Sequence, residues 1–342
     1  MDKQILYDFN LERVVSEVIK TNAGRVLIQL PNGMKNYIPY IINYLKEKLR
    51  GNVELFVSTS HTYGACDIAE DEALRIGADL IVHFGHTPHP LYPKPKVRTL
   101  FIEAFINIKP SVNLIDKLVN KLHDLGLSRV GLAASLQYIK YINYLALELE
   151  KRNFTVIVGR NKYENLMYPG QVLGCEYSCI LSIENRVDGF IVVSGGKFHQ
   201  LGASLVTSKP VIGVDPHREE VYDMSSMRDI TLRKRYYKIM KAMDAETWGI
   251  VLGIKPGQFN YNVYGELINL LNNKGKEYIV FTANEINQHI LRNIDAEYIE
   301  VFVVIACPRV VIDDLADYPK PVLTLGEAFM ALTGRLDKYL FR

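Results

Sequence analysis

The sequence lacks several patterns that would assign a function at once. It has four cysteines among 342 residues but no Cys-x2-Cys pair, which argues against a zinc ribbon. Neither a Gly-x-Ser-x-Gly elbow nor a Walker loop is present, so we predict neither a serine hydrolase nor a P-loop nucleotide site. No apolar stretch is long enough to span a bilayer, and no signal-type region follows the first residues. We therefore expect a cytoplasmic protein with no membrane partner.

An excess of one charge is also missing. Lys and Arg number 40 against 38 Asp and Glu, a formal net charge of +2. Nucleic-acid-binding proteins usually carry a marked basic excess, so no direct nucleic-acid partner is expected. The length of 342 residues exceeds what one compact core usually reaches, which predicts two or three domains. In a cytoplasmic protein the four cysteines are expected to be thiols or metal ligands rather than disulfides.

Short apolar runs predict a structural unit that is repeated three times along the chain. The predicted strands come in sets of four: residues 25–30, 53–57, 79–84 and 97–102; 129–134, 154–159, 188–193 and 211–215; 249–254, 277–282, 300–305 and 321–325. Helical periodicity precedes the first strand of each set and also follows it, and runs that are apolar on both faces are typical of parallel sheets covered by helices. We predict an α/β fold of three Rossmann-like units, each a four-stranded, mainly parallel sheet flanked by helices, in a pseudo-threefold arrangement. The predicted domains are residues 1–108, 109–225 and 226–342.

Three cysteines lie at comparable places in these units. Cys66 and Cys175 each follow a predicted second strand, whereas Cys307 follows a third strand, and neighbouring members are more than 100 residues apart. Ligands of open α/β sheets bind at the carboxyl ends of strands. If the fold brings the three thiolates together, they can hold a metal centre and leave one position open for a substrate. Cys179 gives only a Cys-x3-Cys pair, because Ser182 occupies the position of a third motif cysteine, and we interpret Cys179 as a core thiol.

Histidines offer a rival interpretation. His83, His86 and His89 have a spacing that resembles a metal site, which Cys66 could complete with zinc. Packing or substrate contact is the favoured interpretation, because no regular element aims the three side chains at one point.

Two glycine-bearing loops follow predicted strands, one with Gly33 and the other with Gly195 and Gly196. Backbone amides at a helix N-terminus suit a carboxylate or phosphate, and a simple tight turn is the alternative. A basic segment is interpreted as a solvated helix face, with docking of an acidic macromolecule as the alternative; it contains Arg228, Arg233, Lys234, Arg235, Lys238 and Lys241.

Taken together, the motifs resemble the diphthamide-synthesis family, and within it the archaeal enzymes of the first step, the 2-(3-amino-3-carboxypropyl)histidine synthases. The resemblance runs from about residue 10 to 335 in one motif order. The matching segments are Gln29-Leu30-Pro31-Asn32-Gly33-Met34-Lys35, Tyr63-Gly64-Ala65-Cys66-Asp67, His83-Phe84-Gly85-His86, Gly170-Gln171-Val172-Leu173-Gly174-Cys175, Gly195-Gly196-Lys197-Phe198-His199, Asp215-Pro216 and Ala306-Cys307-Pro308-Arg309.

The resemblance implies a [4Fe–4S] cluster held by Cys66, Cys175 and Cys307 in a homodimer. It also implies cleavage of the Cγ–S bond of S-adenosylmethionine and release of methylthioadenosine. The 3-amino-3-carboxypropyl group would pass to C2 of a histidine of translation elongation factor 2, with an unidentified electron donor. Candidate contacts to S-adenosylmethionine are Gln29, Gly33, Gly195, Gly196, His199 and Asp215.

Three alternatives stay open. A quinolinate-synthase-like enzyme would use a three-cysteine [4Fe–4S] cluster as a Lewis acid, without a redox step. A zinc-binding protein would use Cys66 with His83 or His86. A small-molecule-binding module would have structural cysteines only.

Overall fold

The computed structural model describes residues 5–341 except residues 52, 93, 164–166 and 259–260. Its first part has a parallel sheet in the order β3-β2-β4-β5, and a separate antiparallel pair joins β1 to β6. In chain order the elements are β1 (Tyr7–Asp8), α1 (Leu11–Thr21), β2 (Arg25–Gln29), α2 (Ile38–Leu49), β3 (Glu54–Val57), α3 (Glu70–Ile76), β4 (Leu80–Phe84), β5 (Arg98–Ile102) and β6 (Phe105–Ile106).

The middle part has a larger sheet than the sequence predicts. Its elements are α4 (Val112–Asp124), β7 (Arg129–Ser135), α5 (Ile142–Glu150), β8 (Thr155–Ile157), β9 (Gln171–Val172), α6 (Ser178–Leu181), β10 (Gly189–Val193), α7 (Phe198–Val206), β11 (Val211–Asp215) and β12 (Glu220–Asp223). The order is β12-β11-β10-β7-β8, with β12 antiparallel to β11, and β9 pairs with the end of β7. The two added strands have only two and four residues, too short to give a clear apolar period.

The last part repeats the first arrangement. It contains α8 (Ser225–Met243), β13 (Thr247–Gly253), α9 (Tyr261–Asn273), β14 (Glu277–Ala283), α10 (Gln288–Asn293), β15 (Val301–Ile305), β16 (Val322–Thr324) and α11 (Leu325–Thr333). The parallel sheet has the order β14-β13-β15-β16. Central strands such as β15 are buried along their whole length, which explains their continuous apolar sequences.

The three larger sheets contain the same four-strand order: second, first, third, fourth. In this order the strand sequence reverses beside the first strand, and a crevice opens there at the carboxyl ends. The predicted α/β class with repeated parallel sheets is therefore confirmed, and the predicted domain boundaries stay a prediction. Trp248 of β13 is fully buried in an apolar cluster that also contains Val192 of β10, so the second and third sheets share core. Among the residues described, no helix is both long and apolar enough to cross a membrane.

Candidate functional site

Equivalent loops of all three sheets line one cavity of about 340 Å3. Loops after the second strands contribute residues 63–66, 172–175 and 284–286. The segments after the third strands contribute residues 85–87 and 89 of a loop, residues 198–199 at the start of α7, and residues 306, 307, 309 and 310. Because parallel strands end at the same edge of their sheet, each unit presents two neighbouring loops at its crevice. The three crevices together form the cavity.

The three predicted cysteines meet there. Cys66, Cys175 and Cys307 line this cavity and also a smaller one of about 190 Å3. All are free thiols; Cys175 is exposed, and the other two are half-buried. Cys179 is instead buried in the apolar core, where its thiol lies 3.4 Å from the carbonyl of Gln171. Its predicted role as a core thiol agrees with that position.

Contacts from the third part of the chain hold the Cys66 loop. The amide of Gly257 donates to the Cys66 carbonyl at 3.3 Å, and the Gln258 Nε2 donates to the Cys66 Sγ at 3.5 Å. A Cβ atom at position 257 would lie 2.4 Å from the Cys66 Cα, so only glycine permits this approach. The loop after β13, in the third part of the chain, therefore holds the Cys66 thiol of the first part in place.

The other two thiols lie at strand ends. Cys175 follows the two-residue β9, and its Sγ is 3.8 Å from Nε2 of His89. Gly174 allows the ring of Phe198 to pack close, since a Cβ there would come within 2.6 Å of that ring. Cys307 follows β15, and its carbonyl accepts from the amide of Val310 at 3.1 Å, at the start of a π-helical turn.

Burial makes the two half-buried thiols poor anions on their own. Burial raises the pKa of Cys66 to about 11, against a hydrogen bond from Gln258 that lowers it. Burial also raises the pKa of Cys307. Three thiolates this close repel one another, so ligation needs a strongly cationic centre to offset the repulsion. Within the described part of the chain, no three or more His, Cys, Asp or Glu side chains are grouped so as to hold a single metal ion.

Two basic side chains line the same cavity, and their partners differ. The Lys255 ammonium is paired with Asp67 at 2.8 Å and with Glu285 at 2.9 Å. Arg309 is 3% exposed, stacks over the Phe198 ring at 4.2 Å and has its Nε 2.8 Å from an Asp313 oxygen. The Nη1 of Arg309 has no hydrogen-bond partner among the described residues, which leaves it available to an anion.

The histidines form a hydrogen-bonded chain that ends at the cavity. His83 is fully buried; its Nδ1 lies 2.8 Å from Oε1 of Gln29 and its Nε2 lies 2.9 Å from Nδ1 of His86. With both ring nitrogens engaged, His83 is a poor candidate for the zinc ligand of the alternative interpretation. His86, His89 and His199 line the cavity. Burial lowers the pKa of each of them to about 4, which is opposed in His86 by a backbone hydrogen bond at Phe84.

Among the predicted S-adenosylmethionine contacts, His199 lines the cavity, whereas Gln29, Gly33, Gly195, Gly196 and Asp215 are not among its lining residues. The Gly196 amide is not bare, because it donates to the Asp215 carboxylate at 2.8 Å. Asp215 also accepts from the amides of His217 and Arg218. The loop is thus held by its own carboxylate, and its predicted contact with substrate stays a prediction.

Sequence reasoning gave no role to several cavity residues, among them Lys255, Gln258 and Arg309. Arg309 belongs to the Ala306-Cys307-Pro308-Arg309 segment, which resembles a family motif. The motif could have indicated a functional role for Arg309, although none was assigned to it. Lys255 and Gln258 follow the first strand of the third sheet, and they contact Asp67 and Cys66, which lie 188 and 192 residues earlier in the chain. No local pattern indicates that contact.

Comparison with known proteins agrees with this site. The family described as "Putative diphthamide synthesis protein" matches residues 30–340. The chain belongs to this diphthamide-synthesis family. A 2-(3-amino-3-carboxypropyl)histidine synthase of Pyrococcus horikoshii is 33% identical over 98% of the chain and 94% of that relative. One of Methanocaldococcus jannaschii is 28% identical over 100% of the chain and 95% of the relative.

Solved structures of the same family share the fold. The crystal structure of Dph2 from Pyrococcus horikoshii has a TM-score of 0.87 at 31% identity, covering 98% of this chain and 94% of that one. A second structure of that Dph2, with a 4Fe-4S cluster, has a TM-score of 0.85 at 32% identity over the same shares. These relatives confirm the predicted family and, with it, the enzyme class, a 2-(3-amino-3-carboxypropyl)histidine synthase. They support neither the quinolinate-synthase-like alternative nor the purely structural role of the cysteines.

Proposed function

We propose that the chain transfers the 3-amino-3-carboxypropyl group of S-adenosylmethionine to C2 of a histidine in translation elongation factor 2. Cleavage of the Cγ–S bond would release methylthioadenosine. In this proposal Cys66, Cys175 and Cys307 hold a [4Fe–4S] cluster. The observation that carries it is the meeting of three free thiols, one from each sheet, in a single cavity. The cluster in the related Dph2 structure supports it further.

The donor set fits such a cluster. Three thiolates satisfy three of its four irons. Because burial raises the pKa of Cys66 and of Cys307, a cationic partner is needed to keep these thiols deprotonated. When bound, the cluster supplies an iron with an open position and an electron that can enter the sulfonium. The contribution of the protein is orientation, because the carbon held nearest the open position decides which carbon–sulfur bond breaks.

Arg309 is our candidate for the carboxylate of the methionine part. Its guanidinium is buried, fixed by Phe198 and Asp313, and keeps Nη1 free of protein partners in the described part of the chain. Arginine presents a planar fork that suits a carboxylate. Asp313 and Asp314, which also line the cavity, provide negative charge for the ammonium of the same amino acid. A volume of about 340 Å3 lies within the range of small-molecule sites, about 300–1,000 Å3.

Further predictions stay part of the proposal. They are a homodimer, an electron donor that is still to be identified, the three domains with boundaries near residues 109 and 226, and substrate contacts by His199 and the Gly195–Gly196 loop. Because an elongation factor works at ribosomes, the reaction would take place in the cytoplasm.

The test is an anaerobic incubation of the purified protein with dithionite, labelled S-adenosylmethionine and elongation factor 2. We expect label on one histidine of the factor and an equal amount of methylthioadenosine. Replacing Cys66, Cys175 or Cys307 singly by Ser should reduce bound iron and sulfide and abolish the labelled product, because each thiolate ligates one iron.

Cys179→Ala is the matched control, since this buried thiol lies in the core. It should retain iron, sulfide and transfer. If 5′-deoxyadenosine were the main nucleoside product, the proposed bond cleavage would be wrong. Full iron content in all three Ser variants would reject the ligand set.

A further inference from the structure

One buried amide links the Cys66 loop to the histidine pair. Gln29 is 1% exposed. Its Nε2 donates to the Asp67 carbonyl at 2.7 Å, and its Oε1 accepts from the Ala69 amide at 3.0 Å. A backbone carbonyl can only accept and a backbone N–H can only donate, so these two partners determine which end of the side-chain amide is oxygen.

This orientation determines the tautomer of His83. The Gln29 Oε1 is an acceptor, so the His83 Nδ1, 2.8 Å away, carries a proton and donates it. Burial lowers the pKa of His83 well below its ordinary value, so the ring is neutral and its Nε2 has no proton. Nε2 must therefore accept the hydrogen bond from the His86 Nδ1 at 2.9 Å.

The same logic extends to the ring that lines the cavity. In His86, Nδ1 carries the proton that it donates to His83, and the neutral ring has only one proton. Its Nε2 is thus left with a lone pair. The chain from Gln29 through His83 therefore presets an unprotonated nitrogen in a side chain that lines the cavity.

We infer that His86 Nε2 is the proton acceptor for C2 of the target histidine. This inference rests on the proposed function. When the 3-amino-3-carboxypropyl radical adds to the ring, a C–C bond forms at C2, and the C2–H bond must then break to restore aromaticity. The hydrogen leaves as a proton and one electron. The proton goes to His86 Nε2, and the electron goes to a one-electron acceptor, for which the oxidised iron–sulfur cluster serves.

The hydrogen-bonded chain positions His86 and does not conduct the proton away. It ends at an amide oxygen that already accepts from Ala69 and His83, and an amide does not take up a proton in this pH range. The proton accepted by His86 must therefore leave through the cavity. His199, which lines the same cavity, is neutral as well, because burial lowers its pKa to about 4. Its ring therefore does not repel the incoming proton at neutral pH.

The test separates bond cleavage from proton loss. Elongation factor 2 is prepared with hydrogen or deuterium at C2 of its target histidine, and the wild-type protein is compared with His86→Gln. We expect His86→Gln to release methylthioadenosine within about threefold of the wild-type rate. Its transfer to the factor should fall by ~100-fold or more, the range for loss of a general base. A primary deuterium isotope effect should appear on transfer in the variant and be absent in the wild type.

Two further variants complete the design. His86→Ala should regain part of its transfer when imidazole is added, because imidazole can occupy the vacated space and accept the proton. His123→Gln, on the exposed face of α4, is the control and should behave as the wild type. Bound iron and sulfide, measured in every variant, report whether the protein is folded and loaded.

The inference is overturned if His86→Gln transfers at the wild-type rate. It is equally overturned if both His86 variants, fully loaded with iron, lose methylthioadenosine release and transfer in parallel with no isotope effect and no rescue. Absence of transfer by the wild-type protein would instead reject the proposed function itself.

Discussion

At the residue scale, the two basic side chains that line the cavity, Lys255 and Arg309, have different partners. Lys255 is neutralised by two carboxylates, Asp67 and Glu285. Arg309 has one ion-pair partner, Asp313, and part of its guanidinium fork is unused. A buried donor without a partner costs free energy unless a ligand satisfies it. On the proposed function, we therefore expect substrate affinity to be sensitive to a conservative change at Arg309.

We predict that Arg309→Lys raises KM for S-adenosylmethionine by roughly 10- to 100-fold, because a lysine loses the bidentate fork and the planar contact with Phe198. The kcat with saturating substrate should change less than KM. Steady-state kinetics of methylthioadenosine release measures both. Arg186→Lys, at an exposed arginine, is the control. An unchanged KM in Arg309→Lys would remove Arg309 from the substrate site.

At the element scale, α8 shows that a run of basic residues need not be a solvated face. Arg235 is 1% exposed, and its guanidinium donates to both oxygens of Glu327 on α11, at 2.7 and 2.5 Å. Glu327 also accepts from the Tyr339 hydroxyl and from the Thr324 amide in a capping box. The prediction of a solvated face is therefore wrong for Arg235. Its neighbour Lys234 is exposed and pairs with Asp317 at the surface.

Breaking this buried pair should destabilise the third sheet and its helices. We predict that Arg235→Met lowers the free energy of unfolding by about 3–5 kcal/mol, because it leaves the Glu327 carboxylate buried without its cation. Arg235→Met combined with Glu327→Leu should recover part of that loss, since no charge then remains unpaired. Lys234→Met should change stability by less than about 0.5 kcal/mol. Anaerobic denaturant unfolding measures all three, and equal effects of the two single changes would contradict the role of burial.

At the scale of the whole molecule, local sequence patterns predicted the strands of all three sheets well. The buried strands are continuous apolar runs bounded by polar residues, so the observed strands Leu80–Phe84 and Val301–Ile305 lie inside the predicted segments 79–84 and 300–305. The short β9 and β12 were not predicted, because two to four residues carry no period. The convergence of the thiols follows from the strand order, in which equivalent loops face one crevice per sheet.

Contacts between the repeated units could not be predicted from the sequence. The loop after β14 corresponds in position to the loops that carry Cys66 and Cys175, yet it supplies Glu285 to the cavity instead of a thiol. Lys255 pairs with Glu285 of its own unit and with Asp67 of the first unit, which lies 188 residues earlier in the chain. Such a bridge depends on how the sheets pack, and residue spacing within one unit says nothing about it. The third unit thus differs from the other two at the position where its residues contact the first unit.

The last prediction concerns this bridge. Lys255→Met should leave Asp67 and Glu285 as unpaired neighbouring carboxylates, while the Lys255 contacts to the Cys66 loop and the Tyr63 ring are lost. Because charge-assisted hydrogen bonds contribute about 1.5–3 kcal/mol each, we expect the bound cluster to be lost to a chelator roughly tenfold faster. The anaerobic decay of iron–sulfur absorbance measures this rate. Lys276→Met, which removes an ion pair with Glu246, is the control. Equal decay in Lys255→Met and the wild type would mean that the Gly257 and Gln258 contacts alone hold the Cys66 loop.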